Sequence, residues 1–85
     1  MYMDDAPLIL RDFLNYMGTI KGKSKNTTKE YYYDLRTFFR FIKLHKNVID
    51  STNEFDKIRI DDVDIELIRT ISLSDLYEFM SFLSR

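Results

Sequence analysis

Few residues in this chain have the chemistry that catalysis requires. There is one histidine, His45, and there is no cysteine, so thiol chemistry, disulfides and cysteine-based zinc sites are excluded. His45 lies among lysines near the end of a predicted helix, where the helix dipole favours it and a structural role is expected. We therefore predict that the chain has no catalytic residue and is not an enzyme by itself.

Two short patterns resemble ligand sites but lack the necessary spacing. The acidic cluster at residues 61–66 has no glycine-containing calcium loop, so a solvated helix start is predicted there. Residues 21–24, Lys-Gly-Lys-Ser, end like a phosphate-binding loop, but Met17 stands where that motif needs its first glycine. The sequence therefore predicts no metal site, no nucleotide site and no cofactor.

Charge is strongly segregated along the chain. Residues 21–46 contain eight Lys or Arg and two acidic residues, so this segment carries +6. Residues 1–20 carry −2 and residues 47–85 carry −5, and the net charge of −1 hides this asymmetry. A pI near 5.7 would argue against a nucleic-acid partner, but the distribution of charge matters more than its total.

The basic segment is also predicted to be the longest helix. Residues 24–46 contain no glycine or proline, and Ser24 or the pair Thr27 and Glu30 could cap the helix start. The apolar positions predicted to face the core recur at helical spacing: Thr27, Tyr31, Leu35, Phe38 and Ile42. Tyr32, Phe39 and Phe41 widen this face, which indicates a helix buried on more than one side.

The remaining sequence predicts three further helices. The first begins near Pro7 and ends before Gly22, with six inward positions: Leu8, Ile9, Phe13, Leu14, Met17 and Ile20. After a connector over 47–62, from which Phe55, Ile58 and Ile60 reach the core, a short helix is expected at 64–70. Ser72 and Asp75 form a capping box before the fourth helix, whose predicted inward residues are Leu73, Leu76, Tyr77, Phe79, Met80 and Leu83.

These elements predict an all-α fold with long helices in positions one, two and four and a short third helix. We expect a single domain over residues 1–85, because this length suits one small core. No apolar run approaches the roughly 18 residues of a membrane span, and residues 1–7 have no basic region followed by an apolar one, so neither a span nor a secretory signal is expected. A membrane partner is therefore not expected.

Several polar residues gather where the second helix begins. The N–H groups and dipole of a helix N-terminus already favour a phosphate, and five side chains there could assist: Lys21, Lys23, Lys25, Asn26 and Lys29. In the run Tyr31–Tyr33, most of the tyrosines should belong to the core or its edge, but Tyr33 falls on the opposite side of the helix. It is expected to be exposed and could contact a nucleic-acid backbone.

The order of these residues resembles a known family. Residues 24–41 follow the pattern S-x-N-T-x-x-x-Y-x-x-D-L-x-x-F-x-x-F, and residues 71–83 read ISLSDLYEFMSFL. With the opening helix, they are similar to the N-terminal core-binding domain of tyrosine recombinases, which include phage integrases and Xer-type recombinases. The resemblance covers essentially the whole chain.

The resemblance implies a four-helix, SAM-like orthogonal bundle that clamps duplex DNA at a recombination core site through its second and fourth helices. By position, Asn26 and Glu30 fall where relatives contact bases, although Glu30 could instead complete the capping box, which we favour. The phosphate contacts would come from Lys23, Lys25, Thr28 and Lys29. The full predicted DNA-binding set is Lys21, Lys23, Lys25, Asn26, Thr28, Lys29, Glu30 and Tyr33.

The resemblance also implies that the chain is part of a longer recombinase. The family's catalytic domain, with its tyrosine nucleophile, is absent from these 85 residues. The expected partners are duplex DNA and other recombinase subunits, the expected location is the cytoplasm, and the isolated domain is expected to be a monomer. The alternative is a protein-interaction bundle whose basic helix meets an acidic partner and whose acidic half meets a basic one.

Overall fold

The computed structural model describes residues 4–49 and 54–84. This part of the chain contains four α-helices and no strand, which confirms the predicted all-α class with one short helix. The helices are α1 (Leu8–Thr19), α2 (Lys25–His45), α3 (Ile65–Arg69) and α4 (Leu73–Leu83), and a 3-10 turn (Phe55–Lys57) precedes α3. The loop predicted at residues 50–53 lies outside the described residues.

The helix starts follow local capping rules. Ser24 caps α2, and its Oγ accepts a hydrogen bond from the Thr27 amide at 3.1 Å. Glu30 lies inside α2, so the capping box predicted for Thr27 and Glu30 is wrong. The box predicted for α4 is confirmed, because the Ser72 and Asp75 side chains each accept from the other's backbone amide.

The core lies between α1, α2 and the segment that follows the 3-10 turn. It is built from Ala6, Leu10, Leu14, Tyr32, Phe39, Ile60 and Val63. Of the predicted α2 stripe, Ile42 is buried, whereas Leu35 and Phe38 only pack against the edge of the core. The residues predicted to widen this face are all buried, namely Tyr32, Phe39 and Phe41. The helix is therefore buried on more than one side, as predicted, because α1 and α4 both contact it.

Several apolar residues predicted to face inward are exposed. On α1, Leu10 and Leu14 are buried, whereas Leu8, Phe13 and Ile20 are exposed. On α4, only two of the apolar side chains pack inward, Phe79 and Phe82. The exposed α4 residues are Leu73, Leu76, Tyr77, Met80 and Leu83. The described residues leave these helix faces uncovered.

An aromatic cluster joins α4 to α2. The Phe79 ring lies 4.9 Å from Phe38 and 5.4 Å from Phe41, measured between ring centroids. Phe82 contacts Phe41 at 5.1 Å and Phe55 of the 3-10 turn at 5.4 Å. These tilted and edge-on contacts are the geometry that aromatic rings prefer, and they fix α4 along the second half of α2.

The segment over residues 58–62 is held against α2 by cations. Arg40 Nε donates to the Ile58 carbonyl at 2.9 Å, and Lys43 Nζ donates to the Arg59 carbonyl at 2.7 Å and to the Asp62 carboxylate. Ile58 and Ile60 are buried beneath these bonds. The prediction that they reach the core is therefore confirmed, and Phe55 is half-buried.

Candidate nucleic-acid interface

The turn between α1 and α2 displays two lysines. Gly22 has a φ of 68°, which glycine adopts without steric penalty. The Lys21 amide donates to the Tyr16 carbonyl at 3.1 Å, and the Lys23 amide donates to the Met17 carbonyl at 3.0 Å. These bonds close the end of α1 and leave both lysine side chains exposed beside the start of α2.

The N-terminus of α2 is polar and electropositive. The amides of Thr27 and Thr28 already donate to Ser24, so the amides that remain for a ligand are those of Lys25 and Asn26. In the described part of the chain, no carboxylate lies within 4.0 Å of the Lys21, Lys23 or Lys25 amines. We call Lys21, Lys23, Lys25, Asn26 and Lys29 the basic entrance.

Four of the predicted residues share the outer face of α2. Asn26, Lys29, Glu30 and Tyr33 follow one another at spacings of three, one and three residues, and all four are exposed. This is the spacing of neighbours on one side of a helix. The face begins at the basic entrance and continues along the helix for about two turns.

Thr28 lies apart from the other predicted residues. It is half-buried, and its hydroxyl donates to the Ser24 and Lys25 carbonyls at 3.3 and 3.0 Å. Its methyl group faces Gly18 of α1. A Cβ atom placed at Gly18 would lie 3.8 Å from the Thr28 methyl carbon. The hydroxyl thus bonds to its own helix, on the side of α2 that packs against α1.

Arg36 was not among the predicted site residues, but it borders this face. Its guanidinium carbon lies 4.9 Å from the Tyr33 ring centroid and 5.4 Å from that of Tyr32. A cation over two aromatic rings is favourable, and it holds a positive charge next to exposed Tyr33. The signal in the sequence was its spacing of three and four residues from these tyrosines.

The other cations of the basic segment are used inside the fold. Arg40 and Lys43 hold residues 58–62, as described above, and Lys46 Nζ lies 2.9 Å from the Asp75 carboxylate. The hydrogen bond from Lys46, followed by the one from the Ser72 amide, lowers the pKa of Asp75 to about 2. These cations join elements of the protein and contribute little to a surface for a ligand.

His45 belongs to the same junction between α2 and α4. Its ring stacks on Phe41 at 5.1 Å between centroids, and its Nε2 lies 3.3 Å from the Asp75 carboxylate. Within residues 4–49 and 54–84, no group of three or more His, Cys, Asp or Glu could hold a metal ion. In the same ranges, no helix has the length and hydrophobicity of a membrane span.

Comparison with known proteins bears on the family resemblance. The chain is 49% identical over 78 residues to the tyrosine recombinase XerC of Caldanaerobacter subterraneus subsp. tengcongensis, across 92% of this chain. The resemblance to Xer-type tyrosine recombinases is confirmed. The chain spans 22% of the length of this relative. No family model and no solved structure matches the chain.

Proposed function

We propose that residues 1–85 form the core-binding, SAM-like domain of a Xer-type site-specific recombinase, and that the domain binds duplex DNA without catalysing a reaction. The observation that carries the proposal is the basic entrance. Its lysines are exposed at the N-terminus of the longest helix. Lysines around free helix amides form a favourable site for a phosphate. The similarity to a tyrosine recombinase supplies the biological context.

In this proposal the two parts of the α2 surface have different roles. The amides of Lys25 and Asn26, with the side chains of Lys21, Lys23 and Lys29, hold backbone phosphates and set the orientation of the domain. Asn26 and Glu30 on the outer face reach base edges, where an amide can pair with adenine and a carboxylate with cytosine. Tyr33 contacts the sugar-phosphate backbone one turn further along, and Thr28 supports the helix start.

A contact between α4 and DNA, which the family resemblance also implies, has less support in this chain. Residues 73–84 include no Lys or Arg, and the acidic side chains there are Asp75 and Glu78. We therefore assign the principal contact to α2. The proposal includes other recombinase subunits as partners, a monomeric isolated domain and a cytoplasmic location.

A salt titration tests the proposal. We expect binding to a random-sequence duplex, followed by fluorescence anisotropy, to weaken as salt rises, because phosphate neutralisation releases counterions. Lys23→Ala should lower the slope of log K against log salt by about 0.9. The matched control is Lys57→Ala, since Lys57 is exposed but pairs with Glu54 at 3.3 Å on the acidic side. Its slope should equal that of the unmodified chain.

The second candidate function is protein interaction, and the exposed apolar residues of α4 favour it. If no duplex binds at low salt, or if Lys57→Ala and Lys23→Ala change the slope equally, the basic entrance is not a phosphate site. The interaction bundle would then be the better assignment.

A further inference from the structure

A line of cations continues along α2 beyond the basic entrance. Lys25 and Lys29 are four residues apart, and Arg36 lies seven residues further on. Arg40 follows one turn later, and this spacing places all four on one side of the helix. The two lysines are exposed, whereas the two arginines are half-buried. Arg36 is therefore the point at which the line passes from the open surface into the fold.

The two arginines of this line have different environments. Arg40 Nε donates to the Ile58 carbonyl at 2.9 Å, so this side chain holds the fold together. Arg36 Nε is buried and has no hydrogen-bond partner among the described residues. No carboxylate of residues 4–49 and 54–84 lies within 4.0 Å of the Arg36 guanidinium. A buried donor without an acceptor is uncommon in proteins, and Arg36 thus retains a charge and a donor that the fold does not use.

Two tyrosine rings hold the Arg36 side chain in place. Its guanidinium carbon lies 4.9 Å from the ring centroid of exposed Tyr33 and 5.4 Å from that of buried Tyr32. The centroids of the two rings are 5.1 Å apart, at an interplanar angle of 62°. A cation over aromatic rings is favourable. Because packing already restricts this guanidinium, it loses less conformational entropy when it binds an oxyanion.

We propose that Arg36, positioned by the Tyr33 ring, is a second phosphate contact for duplex DNA. The inference rests on the proposed DNA-binding function and extends it to a residue outside the basic entrance. The terminal nitrogens of Arg36 donate to phosphate oxygens, whose arrangement the planar guanidinium matches.

The second contact lies well away from the first along the helix. Seven residues separate Arg36 from Lys29, which is a rise of about 10 Å. Each DNA strand has one phosphate for about every 3.4 Å of helix axis, so Arg36 reaches a different phosphate from the one at the basic entrance. Two contacts at this separation fix the direction of α2 across the duplex, which a single phosphate site cannot do.

Salt titrations with a random-sequence duplex test the contact. Arg36→Ala should lower the slope of log K against log salt by about 0.9, because one phosphate fewer is neutralised. Arg69→Ala is the matched control, since Arg69 is exposed on α3 and pairs with Glu66 at 3.4 Å, and its slope should be unchanged. Circular dichroism checks that each variant is folded. If Arg36→Ala is not, Arg36→Gln keeps most of the side chain and should give the same decrease.

Arg36→Lys separates the charge from the geometry. Lysine keeps the positive charge, so the salt slope should stay close to that of the unmodified chain. The affinity should still fall about fivefold, because an ammonium group has no planar fork and stacks less well on an aromatic ring.

Tyr33 is a positioning residue in this proposal, so its effect on binding should depend on Arg36. Tyr33→Leu and Tyr33→Phe both remove the hydroxyl and differ in the ring. Tyr33→Leu should therefore bind the duplex about threefold more weakly than Tyr33→Phe, because the cation loses its aromatic support. The difference should disappear when each change is combined with Arg36→Ala, since the ring then has no cation to hold.

Four results would overturn the proposal. An unchanged slope for Arg36→Ala or Arg36→Gln, beside a lowered slope for Lys23→Ala, would show that Arg36 contacts no phosphate and would leave the DNA-binding function intact. Full affinity of Arg36→Lys would show that the geometry of the guanidinium plays no part. A difference between the two Tyr33 variants that persists with Arg36→Ala would show that Tyr33 acts independently. Absence of salt-dependent duplex binding by the unmodified chain would reject the proposed function and the second contact together.

Discussion

The two ends of α2 are both rich in cations but use them differently. Around the first end, the side chains of Lys21, Lys23 and Lys25 are exposed. At the other end, Lys43 is 3% exposed and its amine is bonded to the segment that precedes α3. The surroundings of a lysine therefore decide its role. Where carbonyl and carboxylate oxygens lie within hydrogen-bonding distance, the amine bonds to them and holds the fold together; where they do not, the amine stays available for a ligand.

The largest effect is expected from Lys43→Ala. The change removes a buried stem and leaves the Arg59 carbonyl without its donor, so we expect a loss of about 1–3 kcal/mol in the free energy of unfolding. Denaturant melts measure it. Lys43→Met keeps a long apolar side chain in place of the aliphatic part of lysine. It should therefore retain the part of the stability that comes from burying that side chain.

Lys23→Ala provides the contrast, because changes at exposed sites generally alter stability by no more than about 0.5 kcal/mol. In DNA titrations the order should reverse, with Lys23→Ala lowering the salt slope and Lys43→Met leaving it unchanged. Equal loss of stability in Lys23→Ala and Lys43→Ala would contradict the conclusion that only the second end of α2 uses its lysine to hold the fold together.

A second effect is expected at the junction of α2 and α4. Lys46 and the Ser72 amide hold the pKa of Asp75 at about 2, below the ordinary aspartate value. A lowered pKa stabilises the fold above the unfolded-state value near 4, and this contribution is lost as the pH falls from about 4 through about 2. Urea melts between pH 6 and 2 should show the decrease.

Asp75→Asn is the control for this pH dependence. It should lower stability at pH 6, because the asparagine side chain cannot form the ion pair with Lys46. Between about pH 4 and pH 2 its stability should fall less steeply than that of the unmodified chain. A variant that retains the same acid sensitivity would show that other carboxylates dominate.

The sequence predicted the boundaries of the fold better than its internal packing. The uninterrupted run to Lys46 and the capping box at Ser72 are local signals, and α2 and α4 follow them. On α2, Leu35 and Phe38 of the predicted stripe lie at the edge of the core, whereas the residues predicted only to widen it, such as Tyr32 and Phe39, are buried in it. The two sets could not be ranked from the sequence because aromatic residues make this helix apolar on several sides. A periodic pattern then has no single direction.

The candidate site was likewise predictable where it depends on local sequence and unpredictable where it depends on packing. Exposure of the basic entrance was predictable, because lysines beside a glycine turn have few ways to be buried. The internal use of Arg40 and Lys43 was not, because their acceptors lie 18 and 16 residues away along the chain. Such pairs exist only after the helices have packed, and the charge of the segment counts these cations together with the exposed ones.

A smaller effect than that of Lys43→Ala is expected at Tyr32, which lies between the two ends of α2. Its hydroxyl donates to the Asp5 carboxylate, and burial, followed by this hydrogen bond, raises the pKa of Tyr32 to about 12. A raised pKa means that the contribution to stability is complete below about pH 10 and is lost as the pH rises through about 12.

Absorbance at alkaline pH should show one late-ionising phenol that Tyr32→Phe removes. The same variant should lose only about 0.5–1.5 kcal/mol at neutral pH, because the ring still fills the core. Tyr33→Phe is the matched control and should leave the late phenol in place. If it removes that phenol instead, the boundary between the buried and exposed sides of α2 lies one residue further along the helix.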